Sequence, residues 1–346
     1  MEKTERTYKY DNLRFVLIFL VIFAHFMELF FTDRTSGIYR IIYSFHMPLF
    51  IFLTGIFARF KPMKIVFNFF IPYIVFQTMY LIFDALVLRK ASFADIVWQY
   101  TTPYWLLWYL FVIIGYYLLI PLLDNHSHST KICILVATVI LSLIAPYDTS
   151  IGYYLSLSRF FSFLPYFIAG YYFGKADSSK TAPVLHKKAI IIPCTLVCIV
   201  AAVVLYQSGI FSPQMLYGSY SYQATSGNAL LKLILVIIAG CFILCLLSFT
   251  PDKRIPVISK LGENTFAIFL CHGFIVKLIA GYSIFHFRSL INGLIDLGLT
   301  LIIIVLFGNP IISNGFKWIF SEKWFLQIKA LISRKKQSNT TQSYHD

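Results

Sequence analysis

Runs of close to twenty apolar residues recur along this chain from one end to the other. As an α-helix, each run is long enough to cross a hydrocarbon core about 30 Å thick. The candidate spans lie at roughly 13–31, 38–58, 65–88, 104–123, 131–146, 151–173, 189–206, 228–249, 264–281 and 290–312, about ten in all. With 58% hydrophobic and 13% charged residues, the 346-residue chain is too apolar for a soluble domain. Because lipid satisfies no backbone polar group, runs of this length read as an all-α membrane protein of about ten transmembrane helices. The connections, about twenty residues at their longest, are too short to bury a soluble core. Residues 1–316 therefore read as one polytopic membrane domain and 317–346 as a tail. In that tail Trp318, Ile319, Phe325, Ile328 and Ile332 alternate with cations, the pattern of an amphipathic helix on the inner leaflet. The final QSNTTQSYHD is expected to be disordered.

Lysine and arginine set the orientation, since short cytoplasmic loops carry their excess. With the N-terminus inside, the inner segments hold Arg59, Lys61, Lys64, Lys187, Lys188, Lys253 and Arg254, while segment 207–227 has no charge. About ten spans with both termini cytoplasmic account for this pattern. The net charge of +14 then reflects topology and attraction to anionic lipid, not a nucleic-acid surface. The first run resembles a secretory signal, but no small-residue cleavage pattern follows Phe31 and Glu28 interrupts it, so it is expected to stay in place. A bacterial cytoplasmic membrane is the expected location. Cys194/Cys198 and Cys241/Cys245 have helical spacing, yet buried free cysteines usually serve as small packing residues. No metal is assigned to them, or to His126 and His128.

Against this background the intramembrane ionisable residues stand out, because a charge at the helix centre costs about 2.5–3.5 kcal/mol on insertion scales. His25 lies eleven residues after Arg14 on the first span, with Glu28 one turn further. At about 1.5 Å per residue His25 stands about 18 Å above the start of its helix. His46, about eight residues down the second span, and Arg159, about eight residues down the sixth, lie at comparable depth. Each residue also has a plainer reading. His46 can bond a neighbouring helix, Arg159 can snorkel, Glu28 can sit at a wet interface and Arg14 can anchor the inner surface.

The stretch YDNLRFVLIFLVIFAHF resembles the first helix of the acyltransferase family 3 membrane enzymes. The resemblance continues, in the family's order, through SFHMPLFIFLTGIFAR, WLLWYLFVIIGYYLLIPLL, SRFFSFLPYFIAGYYFG and LGENTFAIFLCHGFIV. The DNLR, FHMPLF and FLPYFIAGYYFG blocks are most similar to the fucose 4-O-acetylase-like branch. This resemblance implies an integral membrane O-acyltransferase that takes acetyl from acetyl-CoA and places it on a hydroxyl of a cell-surface polysaccharide or lipid-linked glycan. It assigns the catalytic role to His25 and a required basic role to Arg14. The esterase-like domain fused to some relatives has no counterpart here, so transfer is expected to be completed within the membrane domain.

The residue chemistry suits this assignment. A hydroxyl attacks a thioester more readily when a neutral imidazole accepts its proton, and His25 can be that base. Glu28 can fix its tautomer; His46 can do so instead, or donate to the developing oxyanion. Arg14, held by Asp11, can meet CoA phosphates at the cytoplasmic side. His272, expected nearer that side, either lines the CoA path or packs. Trp105, Trp108 and Tyr109, together with the Tyr- and Ser-rich segment 207–227, offer aromatic surface to a sugar or form an interfacial belt. A transporter of glycan or lipid-linked sugar is the rival class, since buried charges and Pro48, Pro72 and Pro165 within spans also mark substrate pathways. No two-half repeat supports it. The sequence does not give an oligomeric state.

Overall fold

The computed structural model describes residues 7–30, 33–89, 92–176, 183–282, 290–323 and 326–327. Among the described residues there is helix and loop but no strand. Eight helices are long and apolar enough to span a membrane. They are α1 (Lys9–Met27), α2 (Asp33–Phe57), α3 (Pro62–Leu86), α4 (Trp105–Leu122), α5 (His128–Tyr147), α7 (Lys188–Gln207), α8 (Ala229–Phe249) and α9 (Thr265–Tyr282). Between α5 and α7 lies α6 (Leu157–Lys175), the segment expected as a span at 151–173. It has the length, about 28 Å at about 1.5 Å per residue, but Ser158, Arg159, Ser162 and Pro165 make it more polar than the others. It lies inside the bundle, with Ser158, Ser162, Phe167 and Tyr171 buried.

The last expected span is broken. Helix α10 (Leu290–Phe307) and helix α11 (Pro310–Ile319) meet at a 57° bend. Gly308 and Asn309 interrupt the helix, and the Asn309 side chain accepts from the Ile311 N–H. Pro310 takes the first-turn position, which needs no donor. The expected boundary at 316/317 thus falls inside α11, and the chain turns about eight residues earlier, where the backbone ladder stops. Phe325, Ile328 and Ile332 of the proposed tail helix, and the expected disorder of QSNTTQSYHD, lie outside the described residues.

Two contacts decide where the functional side chains sit. Helices α2 and α6 cross closely through Gly55, Gly170 and Gly174. A Cβ at Gly170 would collide with the Phe52 carbonyl oxygen, and one at Gly174 with that of Ile56. The G-x-x-x-G spacing on α6 presents the small face that lets membrane helices approach to backbone distance. Meanwhile α1 and α9 pack on α10 through Ile18, Ile22 and Phe26 against Ile268, Val276, Ile303 and Ile304. These contacts bring the middle of α1 alongside α9.

Polar side chains then place the loops. Gln77 of α3 donates to the Gln99 carbonyl at 2.7 Å and accepts from the Tyr104 N–H at 2.8 Å, and the Tyr73 hydroxyl donates to the Tyr100 carbonyl at 2.7 Å. The segment before α4 is thereby fixed against α3. Arg40 of α2 is buried and donates to the Leu205 and Tyr206 carbonyls at 2.7 and 3.1 Å. It satisfies the open carbonyl end of α7. At the opposite end of α1, Asn12 donates to the Pro251 and Lys253 carbonyls and accepts from Ser259, tying α1 to the short helix Pro256–Glu263.

Candidate active site

A cavity of about 290 Å³ opens among α1, α2, α4, α6 and the segment after α7. His25, Glu28, His46, Trp105, Trp108, Tyr109 and Arg159 all line it, together with Tyr43, Tyr153 and Tyr217. That is about twice the volume of a cavity of about 150 Å³ that holds benzene, so one ring with a substituent fits.

The carboxylate of Glu28 is the organising anion. It follows α1 on a single tight turn, and three groups converge on it. The Tyr39 and Tyr43 hydroxyls both donate to Oε1, Tyr43 at 2.9 Å, and His25 Nδ1 stands 3.7 Å from Oε2. Tyr39, Tyr43 and His46 occur at i, i+4 and i+7 on α2, so one helical face supplies all three. Tyr217 joins this set, its hydroxyl oxygen 3.1 Å from that of Tyr39. A buried carboxylate persists only when its oxygens are met by donors, and here they are.

The partners of the histidine rings indicate their tautomers. His46 Nδ1 lies 2.8 Å from the Ile42 carbonyl oxygen. A carbonyl oxygen can only accept, so this contact puts the proton on Nδ1. Neutral His46 therefore turns an acceptor, Nε2, toward the cavity. It cannot donate to an oxyanion in that form, which corrects one of the roles expected for it. Beside His25 Nδ1 stand the Tyr43 hydroxyl at 3.5 Å and Glu28 Oε2 at 3.7 Å.

His272 differs from expectation in position. Its ring stacks on His25, centroids 5.7 Å apart and planes 19° apart, so it lies at the depth of His25 and not with Arg14. Its Nδ1 donates to the Ile268 carbonyl at 3.1 Å, and its Nε2 has no partner. Trp105 closes the same side, 4.6 Å from the His25 ring, with the Lys277 ammonium 4.7 Å from the indole centroid. Trp105 adopts φ 36°, a backbone region rarely used by a bulky residue. The pinned segment before α4 and the packing of the ring maintain that conformation against a cost of about 1–3 kcal/mol.

Arg159 lies across the cavity from this cluster. Its guanidinium rests 5.0 Å from the Trp108 ring centroid and 5.3 Å from that of Tyr153. Its Nε donates to the Tyr217 carbonyl at 3.4 Å and a terminal nitrogen to Ser219 Oγ at 3.3 Å. Trp108 also stacks on Phe163 at 5.3 Å, so it braces the arginine and offers no open face to a sugar. The uncharged segment 207–227 is not a plain loop. It forms the short helices Pro213–Leu216 and Tyr222–Thr225, and its Leu216 and Tyr217 line the cavity. Gly218 takes the left-handed φ of 64°, which glycine adopts without a steric cost. Its carbonyl thereby turns toward α6, where Ser158 and Ser162 donate to it at 2.8 and 3.2 Å.

Arg14 and Asp11 are elsewhere. Arg14 pairs with Asp11 Oδ1 at 3.2 Å, as its i−3 spacing suggests, and lies over the Phe57 ring at 4.6 Å, partly exposed. Eleven helical residues place it about 16 Å from His25 along α1. Between them the hydroxyls of Thr54 on α2 and Tyr109 on α4 meet at 2.6 Å, so the cavity ends on the His25 side of this pair. Among the described residues no three His, Cys, Asp or Glu side chains are grouped to hold a metal. Cys198 and Cys245 face each other across α7 and α8 at 3.9 Å as free thiols.

Sequence reasoning missed Tyr39, Tyr43 and Tyr153, and reached Tyr217 only as part of the Tyr- and Ser-rich segment 207–227. The i, i+4, i+7 pattern of Tyr39, Tyr43 and His46 was the available signal for the first two. Tyr153 precedes the regular part of α6, and nothing in the sequence alone brings it to the site.

A bundle of long apolar helices enclosing an imidazole beside a carboxylate, in a largely apolar cavity, defines a multi-pass membrane protein. The family model of the acyltransferase domain, acyltransferase family 3, matches residues 7–313, and the chain belongs to that family. It is thus a membrane acyltransferase, and the transporter reading falls away. No curated protein and no solved structure matches the chain.

Proposed function

We propose that this protein transfers acetyl from acetyl-CoA to a hydroxyl of a cell-surface polysaccharide or lipid-linked glycan, with His25 as general base. The observation that carries this reading is the His25–Glu28 pair facing a cavity that admits a sugar ring. In this reading Glu28, 3.7 Å from Nδ1, closes on the Nδ1 proton when the ligand binds, which leaves Nε2 as the basic nitrogen. As the acceptor oxygen bonds to the thioester carbonyl carbon, its proton passes to Nε2, and the imidazolium that forms is stabilised by Glu28. The C–S bond then breaks, and the same proton returns to the departing sulfur. Atoms and charge balance over the cycle.

Arg14 at the cytoplasmic end, with both termini on that side, suits the phosphates of a CoA arriving from the cytosol. The thioester then reaches His25 when the Thr54–Tyr109 contact parts. A bacterial cytoplasmic membrane and the fucose 4-O-acetylase-like branch accord with the DNLR and FHMPLF blocks. The test supplies purified protein with labelled acetyl-CoA and a panel of glycans. Label on glycan that is lost in His25→Ala supports the reading. Label transfer that survives this substitution removes His25 as the base, and acyl transfer to no glycan at all removes the acceptor class.

A further inference from the structure

Arg159 is, among the described residues, the one lysine or arginine lining the cavity, and no carboxylate meets it. A guanidinium carries five N–H donors and cannot give up its charge. Two of these reach neutral oxygens, those of Tyr217 and Ser219, at 3.4 and 3.3 Å. Both distances lie at the long edge of hydrogen bonding. The carboxylate in the same cavity, Glu28, is committed to Tyr39, Tyr43 and His25. Trp108 and Tyr153 carry the guanidinium against their rings, which fixes its plane while leaving an edge of free donors. Tyr153, which carries one face of the guanidinium, is itself 42% exposed. An oriented fork of donors with no internal counter-ion suits an oxyanion carried in by the ligand.

We propose that the acceptor is an anionic sugar, with a carboxylate or phosphate bound by Arg159 while a hydroxyl of the same ring reaches His25. This inference rests on the acyltransfer reading above and narrows its acceptor class. The cavity volume admits such a ring, since a cavity of about 150 Å³ already holds benzene.

The experiment is a binding titration of the purified full chain in detergent without any thioester, read by intrinsic tryptophan fluorescence. The probes are methyl glucoside, methyl glucuronide and glucose 1-phosphate. At least one charged probe is expected to bind about tenfold or more tightly than the glucoside, the margin of one charge-assisted hydrogen bond. Comparison of glucuronide with glucose 1-phosphate identifies the oxyanion. Arg159→Gln is expected to abolish the preference, and Arg159→Lys, which keeps the charge without the fork, to retain part of it and serve as the folded control. Equal binding of all three probes, binding of none, or a preference that survives in Arg159→Gln overturns the proposal. Because no acyl donor is present, this result is independent of whether label from acetyl-CoA reaches a glycan, so the two readings fail separately.

Discussion

The two ends of the first helix handle charge in opposite ways. At the Glu28 end, donors from α1 and α2 close around one carboxylate, and the rings of Tyr39 and Tyr43 stack at 4.0 Å. At the Arg14 end, the guanidinium has one carboxylate and one phenyl ring and stays partly exposed. The first arrangement fixes geometry before any ligand arrives, as proton transfer requires. The second leaves donors unspent, as binding of a mobile anion requires.

Substitutions at the two ends test this contrast, because the first end should govern turnover and the second affinity. His25→Ala is expected to lower kcat by about 10²–10⁴-fold, the usual contribution of a positioned base. Single-turnover assays with labelled acetyl-CoA would measure it. Glu28→Gln keeps shape but removes the charge that stabilises the imidazolium, so kcat should fall by about ten- to a hundredfold, while the KM for acetyl-CoA stays within about twofold. A shift confined to KM would break the comparison. Arg14→Ala should do the reverse, raising the KM for acetyl-CoA about tenfold through loss of a charge-assisted contact, with Arg14→Lys recovering part of it. Thr54→Val, at the contact between the two ends, should give the smallest effect, a change of about two- to tenfold in the rate at which donor reaches the site. Stopped-flow measurement of acetyl consumption would reveal it.

Much of this arrangement was legible in the chain. Hydropathy found every long helix, because lipid forces runs of a fixed length. Depth counting brought His25, Glu28, His46 and Arg159 to one level because helical rise is constant. It failed for His272, which was expected on the Arg14 side, because packing of α9 on α1 through Ile268 and Ile18 sets it at the level of His25. Likewise Trp108 looks like a sugar platform in the linear sequence, whereas Phe163 and Arg159 occupy its ring. Tyr153 was illegible because it precedes the regular part of α6, and the bend before α11 was hidden in a continuous apolar run.

The glycine seam between α2 and α6 also limits how this enzyme can diversify. His46 sits on one of those helices and Arg159 on the other, and the approach at Gly170 and Gly174 admits no residue with a Cβ. The distance between the two walls is therefore set by main chain, and any larger residue at the seam would push His46 and Arg159 apart.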